Sequence, residues 1–533
     1  MLGFRLKSGF CGALLLAATG TIAHAATPAD HHGDVLVEVE AWPDDLHALG
    51  LDVWTHRTAE PRVLVRVTPQ DQAALDASGY GYTVVDPDLG TRVQAERDRL
   101  TGAAAPVLGG GLDPTFHSDF RDYGTVDARL DALAAAFPGR VSVVNVGVSL
   151  EGRAIRGLRI SNPGPADRPV ILMQSCQHAR EWISVASAMW AAEAFASANA
   201  GSLLDGLLDQ AELVVVPIVN PDGYVYSWNV ERYWRKNRRD DHGVDLNRNW
   251  SVVWGGEGAS PDPFAENYHG TGPFSEPESA AMRDFVAADP NMVAMLDVHS
   301  FGQLLLYPWG YDYVDSADEA TYDAITSSMA NEMWAPHQEW YSPLQSSDLY
   351  PASGNSIDWG YGVYGLYSIT IELRPEFTEK WDFVLPPQFI IPTGEELVIG
   401  LAELIEASVA LGPGAPGDSG GEVETSTGDP DTGGPGDTTT DDPPLTSGDP
   451  DTGGPADTGV DPPPPPPSTS GSPPDPLPEG TAGSEGSDSG AAADPLSERG
   501  CGCRSSNGGG SGWWWASLML VAIRRRRQRL GAG

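Results

Sequence analysis

Two histidines and one glutamate follow apolar runs of this 533-residue chain in a pattern that suits a bound metal ion. His178 and Glu181 come after the run 169–174, and His299 comes after the run 292–298. An H-x-x-E spacing lets an imidazole nitrogen and a carboxylate oxygen converge on one ion, and zinc sites with two His and one Glu keep a fourth position for water. The H-x-x-E pair alone is weak evidence, but a third candidate ligand at a second predicted strand end strengthens it. We therefore expect these three side chains to share one metal ion.

The elements that must position these side chains are predicted from the pattern of apolar residues. Between about residues 114 and 411, apolar runs alternate with helical patterns, and the runs lie at 169–174, 212–219, 292–298 and 367–373. Continuous apolar runs fit strands that are buried on both faces, which predicts an α/β domain with a parallel or mixed sheet. Such sheets place their functional groups at the carboxyl ends of the strands.

Eight short motifs occur in order along the same part of the chain. They are HARE (178–181), NPDG (220–223), RYWRKNR (232–238), VDLNRNW (244–250), YHG (268–270), HSFGQLLLYP (299–308), YPASGNSIDW (350–359) and TIELR (370–374). From about residue 116 to 411 the chain resembles the zinc metallocarboxypeptidases of the pancreatic carboxypeptidase A and B type. The resemblance implies a three-layer α/β/α domain with a mixed, mainly parallel twisted sheet of about eight strands. It also implies hydrolysis of the last peptide bond of peptides or proteins with a free C-terminus, by water activated by one zinc ion.

The resemblance gives roles to residues around the metal. It makes the three candidate ligands zinc ligands, and Asp245 would orient His178, since a ligating His normally donates its other N–H to a carboxylate or carbonyl. Glu372 would be the general base, at a strand end where an unpaired carboxylate is costly to bury. The alternative for Glu372 is a structural ion pair with Arg374.

The resemblance also implies how a substrate would be held. Asn247, Arg248 and Tyr350 would bind the terminal carboxylate, for which the planar fork of arginine is well suited. Arg235 would polarise the scissile carbonyl and stabilise the oxyanion. Arg180 would help to hold the backbone of the substrate.

The specificity pocket of the family has its base at the position of Ile357. An aspartate there favours Lys or Arg, so Ile357 predicts apolar or aromatic C-terminal residues. Leu306, Gly310, Ala352 and Thr370 would line the same pocket. Asn355 stands where the pancreatic enzymes have glycine, and Phe301 stands where they have tyrosine, which leaves the size of the pocket open.

Three alternatives concern the assignment itself. Cys176 lies two positions before His178, but we interpret it as a small buried residue because three ligands are already present. An amidase or deacylase could share the fold, although such relatives generally lack the full set of carboxylate-binding residues. A catalytically inactive binding or wall-associated module is the third alternative.

The amino-terminal part predicts an exported precursor. Residues 1–25 carry basic residues, an apolar run and Ala23-His24-Ala25, as in a signal peptide. Residues 26–112 resemble the activation prodomain of the same family, with strands predicted at 35–39, 62–67 and 82–85. Cleavage is expected near Arg97 or Arg99 or in the Gly-rich stretch to residue 111. The competing interpretation is an accessory domain that is never removed.

The carboxyl-terminal part differs in composition from the predicted catalytic domain of residues 113–411. Residues 412–500 are rich in Pro, Gly, Ser, Thr and Asp, with a repeated GDPDTGGP, and are predicted to be a disordered spacer. Residues 501–533 resemble the C-terminal sorting tails of myxobacterial surface proteins, with an apolar run before Arg524 to Arg527.

The overall charge and the two ends of the chain suggest its surroundings. Many of the acidic residues behind the net charge of −42 lie in the spacer, and this charge argues against nucleic acid as a partner. We expect a monomer that is secreted or held at the cell surface, with membrane contact only through the tail.

Overall fold

Two β-sheets, one small and one large, contain the strands of the described chain. The structure is a computed structural model that describes residues 27–56, 61–102, 112–377 and 381–412. The predicted signal peptide, nearly all of the spacer and the whole sorting tail lie outside these ranges. Within them, no helix combines the length and the apolar character that crossing a bilayer requires.

The small sheet belongs to residues 27–102, here called the amino-terminal region. Its strands have the order β2-β3-β1-β4, and neighbouring strands are antiparallel. The elements are β1 (Val35–Val39), α1 (Pro43–His47), β2 (Asp52–His56), β3 (Val63–Val67), α2 (Gln72–Ser78), β4 (Tyr82–Asp86) and α3 (Leu89–Gly102). The three predicted strands are present, but β2 was not predicted because its sequence DVWTH alternates weakly. Helix α3 contains Arg97 and Arg99, two of the expected cleavage positions.

The large sheet has eight strands in the order β11-β10-β12-β9-β7-β8-β6-β5. Its strands are β5 (Val141–Val148), β6 (Ala154–Ile160), β7 (Val170–Ser175), β8 (Glu212–Val216), β9 (Met292–Ser300), β10 (Leu304–Tyr307), β11 (Ser342–Gln345) and β12 (Tyr367–Leu373). Four neighbouring pairs are parallel and three are antiparallel. The four apolar runs read from the sequence therefore form the central strands.

Helices cover both faces of the large sheet, which gives the predicted three-layer arrangement. Every residue of β7 and β9 is buried, as expected for strands with a helical layer on each side. The helices are α4 (Tyr123–Ala136), α5 (Trp182–Ala196), α6 (Leu203–Leu208), α7 (Pro221–Asn229), α8 (Pro277–Ala287), α9 (Glu319–His337), α10 (Ser346–Leu349), α11 (Ser356–Tyr364) and α12 (Ile390–Leu411). Short 3-10 helices lie at Phe116–Ser118, Arg239–Asp241, Leu246–Arg248 and Pro387–Phe389.

The order of the strands brings distant residues to one edge of the sheet. Strands β7, β9 and β12 are adjacent and parallel, so their carboxyl ends point the same way. His178 and Glu181 follow β7 directly, and α5 begins at the next residue, Trp182. Glu372 on β12 lies in register with His299 on β9.

Candidate active site

The three predicted metal ligands meet at the carboxyl edge of the large sheet. The Nδ1 atoms of His178 and His299 are 3.0 Å apart. Oε1 of Glu181 lies 2.7 Å from Nδ1 of His178, and Oε2 of Glu181 lies 3.0 Å from Nδ1 of His299. All three side chains are buried, and together they form a candidate metal site.

These distances and charges fit zinc. Ligands about 2.0–2.1 Å from a tetrahedral ion lie about 3.3 Å from one another, close to the separations found here. Burial lowers the pKa of His178, which favours the neutral ring that a metal requires. Although burial opposes it, the two histidines hold the pKa of Glu181 below its usual range, so this carboxylate is ionised. The donor set thus offers the negative charge that a dication needs. Although burial opposes it, Asp297 and Glu181 raise the pKa of His299, so a metal ion would displace a proton from that ring.

A carboxylate stands behind each of the two histidines. Asp245 Oδ1 lies 3.1 Å from Nε2 of His178, as the resemblance implied. Asp297 Oδ2 lies 3.0 Å from Nε2 of His299, and this residue was not predicted. Its position is readable in the sequence, because a lone aspartate in the apolar strand MVAMLDVHS, two residues before His299, must share a face with it.

Glu372, the predicted general base, lies in register with His299 at the same edge of the sheet. It lines the same cleft as His178 and Glu181, and burial raises its pKa to about 8. Its Oε2 atom has no hydrogen-bond partner among the described residues. The alternative ion pair with Arg374 is not supported, because that guanidinium pairs with Glu396 and Glu339.

The residues predicted to bind the oxyanion and the terminal carboxylate of the substrate lie beside the candidate metal site. Arg235 donates to Asp245 Oδ2 at 2.9 Å, and its Nη1 lies 3.2 Å from Nδ1 of His178. Arg235, Asn247, Arg248 and Tyr350 all line the cleft. The guanidinium of Arg248 is held in place because it donates hydrogen bonds to the carbonyl oxygens of Asn247 and Gly258.

The predicted pocket residues are partly brought together. The cleft is lined by Leu306, Ala352, Ile357 and Thr370, and also by Phe301, Ser346, Leu349 and Asn355. Gly310 does not line the cleft. It packs behind Asn355, because a Cβ atom on Gly310 would lie 2.7 Å from the Asn355 amide nitrogen. The Asn355 amide is fixed, since it donates to Ala352 and to Asp358 and accepts from the Asp358 N–H.

Arg180 lies outside the residues that line the cleft and is fully buried. Its Nη1 donates to Asp52 Oδ1 of the amino-terminal region at 2.8 Å. The guanidinium also faces the rings of Phe383 and Trp54, at 4.4 and 5.8 Å. Trp54 itself lines the cleft, so the amino-terminal region contributes a side chain to the lining of the site.

Comparisons with known proteins agree with this geometry. The family model described as zinc carboxypeptidase matches residues 126–400. Carboxypeptidase A2 of Rattus norvegicus is 34% identical over 374 residues, which cover 67% of this chain and 87% of the rat protein. Carboxypeptidase B of Astacus astacus is 37% identical over 293 residues, covering 53% of this chain and 95% of that protein. The crystal structure of carboxypeptidase A from Helicoverpa armigera superposes with a TM-score of 0.63 at 30% identity, covering 71% of this chain and 98% of the other.

Proposed function

The chain belongs to the zinc carboxypeptidase family and hydrolyses C-terminal peptide bonds with zinc as its cofactor, and from this premise we propose that it prefers apolar C-terminal residues. Its substrates are peptides with a free C-terminus. One observation carries the proposed preference: Ile357 is buried in the cleft, where Leu306, Leu349 and Ala352 also present apolar side chains. Among the described residues that line the cleft, the carboxylates are those of Glu181 and Glu372. A cationic side chain would therefore find no partner at the base of the pocket.

We propose that the charged side chains divide the work of catalysis. When bound, zinc supplies Lewis acidity at the three-ligand site. Glu372 removes a proton from the attacking water and later delivers it to the departing amine. Arg235 donates hydrogen bonds toward the oxygen on which negative charge develops. This proposal is supported by the shared cleft of these side chains and by the ion pair that holds Arg235 against Asp245.

The remaining polar residues would hold the substrate. Arg248, Asn247 and Tyr350 would bind the terminal carboxylate, which places the last side chain in the apolar pocket. Arg180 would hold the substrate backbone once Asp52 is removed from it. Support comes from the positions of the first three residues in the cleft, beside Ile357.

The test is the release of C-terminal residues from a peptide library that contains matched free and amidated peptides. We expect release of apolar and aromatic residues from free peptides, little release from amidated ones and much slower release by the Glu372→Gln variant. Release of mainly Lys and Arg would refute the pocket assignment. Equal cleavage of amidated peptides would favour an amidase, and no turnover together with no bound zinc would favour an inactive binding module.

We further propose that the amino-terminal region is an activation prodomain. Trp54 lines the cleft and Asp52 accepts a hydrogen bond from Arg180, and helix α3 is held by a buried ion pair between Glu96 and Arg232 at 2.5 Å. Arg92 adds a pair with Asp382 at 2.9 Å. A substrate that needs Arg180 would compete with these contacts. A permanent accessory domain remains the alternative.

The position of the cleavage can be narrowed. Arg97 donates to the Ala29 carbonyl and Arg99 pairs with Asp119, and both lie in helix α3. Because a protease must unwind a helix to cut it, we propose cleavage within 103–111, outside the described residues. Limited proteolysis of the full chain should raise activity together with the appearance of a new amino terminus in this stretch. Unchanged activity after removal of the region would favour the accessory domain.

Export and anchoring complete the proposal. We propose that residues 1–25 direct secretion and that residues 501–533 hold the protein at the cell surface as a monomer. The motifs of the two ends support this proposal. Fractionation of cells that produce the full chain or a chain ending at residue 500 tests it. The full chain should stay with the cell envelope and the truncated chain should appear in the medium, whereas equal distribution would contradict anchoring.

A further inference from the structure

One buried carboxylate oxygen accepts hydrogen bonds from three separate parts of the catalytic domain. Oδ2 of Asp297 lies 3.0 Å from Nε2 of His299, 2.6 Å from Nε2 of Gln177 and 2.5 Å from Oγ of Ser356. Asp297, Gln177 and Ser356 are inaccessible to solvent, and His299 is 1% exposed. A buried charge is tolerated where such donors compensate for lost water. This oxygen is therefore a fixed point of the structure.

The partners of Asp297 lead from the metal site to the pocket. Ser356 is the first residue of helix α11, and the next residue, Ile357, lines the cleft. The backbone N–H of Ser356 donates to Oδ1 of Asn247 at 2.9 Å. Movement of helix α11 would therefore disturb the hydrogen bonds both to Asp297 and to Asn247, which is proposed to bind the terminal carboxylate.

Gln177 connects the carboxylate of Asp297 to the end of strand β7. It immediately precedes His178, and its Oε1 accepts from the indole N–H of Trp250 at 3.0 Å. Trp250 is fully buried and follows the loop that carries Arg248. The three donors thus join the ends of β7 and β9 to the start of α11.

We propose that Asp297 is a positioning residue that ties His299 to the start of helix α11, so that the metal site and the specificity pocket keep one shared geometry. The inference rests on the proposed function. By accepting the Nε2 proton, Asp297 fixes the tautomer of His299 in which Nδ1 is free to bind the metal. Asp245 gives the same support to His178, but its second oxygen binds Arg235. The two carboxylates therefore couple the metal to different parts of substrate recognition.

The experiment compares zinc affinity and kinetics of three full-length variants with wild type. Zinc dissociation constants are measured by competition with a chelator, and KM and kcat are measured after activation. We expect Asp297→Asn to bind zinc about 10- to 100-fold more weakly. Ser356→Ala should weaken zinc about two- to tenfold, the effect of one hydrogen bond, and should raise KM for apolar peptides more than it lowers kcat. The exposed control Asp284→Asn, on α8, should match wild type in every measurement.

The outcomes separate this inference from the proposed function. If Asp297→Asn bound zinc as tightly as wild type, the proposed role of Asp297 at the metal would be overturned. The proposed function would stand in that case, because wild type still bound zinc. Unchanged zinc affinity and KM in Ser356→Ala would overturn the coupling to the pocket, and this variant keeps the test decisive if Asp297→Asn fails to fold. Failure of wild type to bind zinc would instead overturn the proposed function, and this inference with it.

Discussion

At the metal end of the cleft, charged side chains lie at the ends of parallel strands, and a second side chain holds each histidine ligand in place. At the pocket end, apolar side chains come from strand β10, from helices α10 and α11 and from the loop between these helices, and Ile357 is the side chain at the expected pocket base. Buried charge is stable only with its partners present, so one substitution at the metal end affects several groups. The apolar side chain of Ile357 makes no hydrogen bonds, so its substitution can change the preference while the fold persists. Chemistry and preference thus depend on different side chains, which the hydrogen bond between Ser356 and Asp297 connects.

The largest expected effect is at the metal end. Glu372→Gln keeps the shape of the side chain but cannot accept a proton, so kcat should fall by about 10²- to 10⁴-fold. Steady-state assays of the activated enzyme measure this loss. The control is Glu395→Gln, which changes a half-buried carboxylate that pairs with His337 away from the cleft. A Glu372→Gln variant with near wild-type kcat would show that another group is the base.

The next largest effect is expected at the pocket end. Ile357→Asp places a carboxylate at the expected base of the pocket, which should lower kcat/KM for apolar termini by about 10²-fold and raise it for Lys and Arg. Ile357→Leu is the matched apolar control and should keep the original preference. Parallel loss for apolar and basic termini would mean that residue 357 does not contact the last side chain.

A smaller effect is expected where the two ends meet. Arg248→Gln removes a charge-assisted hydrogen bond to the terminal carboxylate, worth about 1.5–3 kcal/mol, so kcat/KM should fall about 10- to 150-fold. The loss should appear for peptides with a free C-terminus and not for residual cleavage of amidated ones. Arg248→Lys keeps the charge without the planar fork and should lie between wild type and Arg248→Gln. Equal losses on both kinds of peptide would indicate a structural role.

The substitution expected to affect turnover least is Asp358→Asn. Burial raises the pKa of Asp358 to about 7 from 3.8, so the folded state favours the protonated form. The stabilising contribution is present below about pH 4 and is lost as the pH rises through 7. The midpoint of thermal unfolding should therefore fall less between pH 5 and pH 8 in Asp358→Asn than in wild type. Identical pH dependence in both proteins would contradict this account.

The sequence predicted the metal end better than it predicted the surroundings of the cleft. Strands β7, β9 and β12 are long apolar runs, so local pattern predicted the strands, and the resemblance of the motifs at their ends implied the roles of the site residues. Asp297 was missed, although its spacing from His299 indicated a shared face. The pairing of Arg180 with Asp52 joins residues far apart in the chain. It was not predicted, because the periodicity of a sequence indicates which residues are buried but not which distant residues they contact. The fixed amide of Asn355 was also missed, although its partners Ala352 and Asp358 lie only three residues away.

The most direct test of the account is the zinc content of wild type, His299→Ala and Glu372→Gln, measured after dialysis by elemental analysis. We expect one zinc per chain in wild type and in Glu372→Gln, which should have little activity, and little zinc in His299→Ala. Retention of a full zinc by His299→Ala, or loss of it from Glu372→Gln, would contradict the assignment of ligands and base.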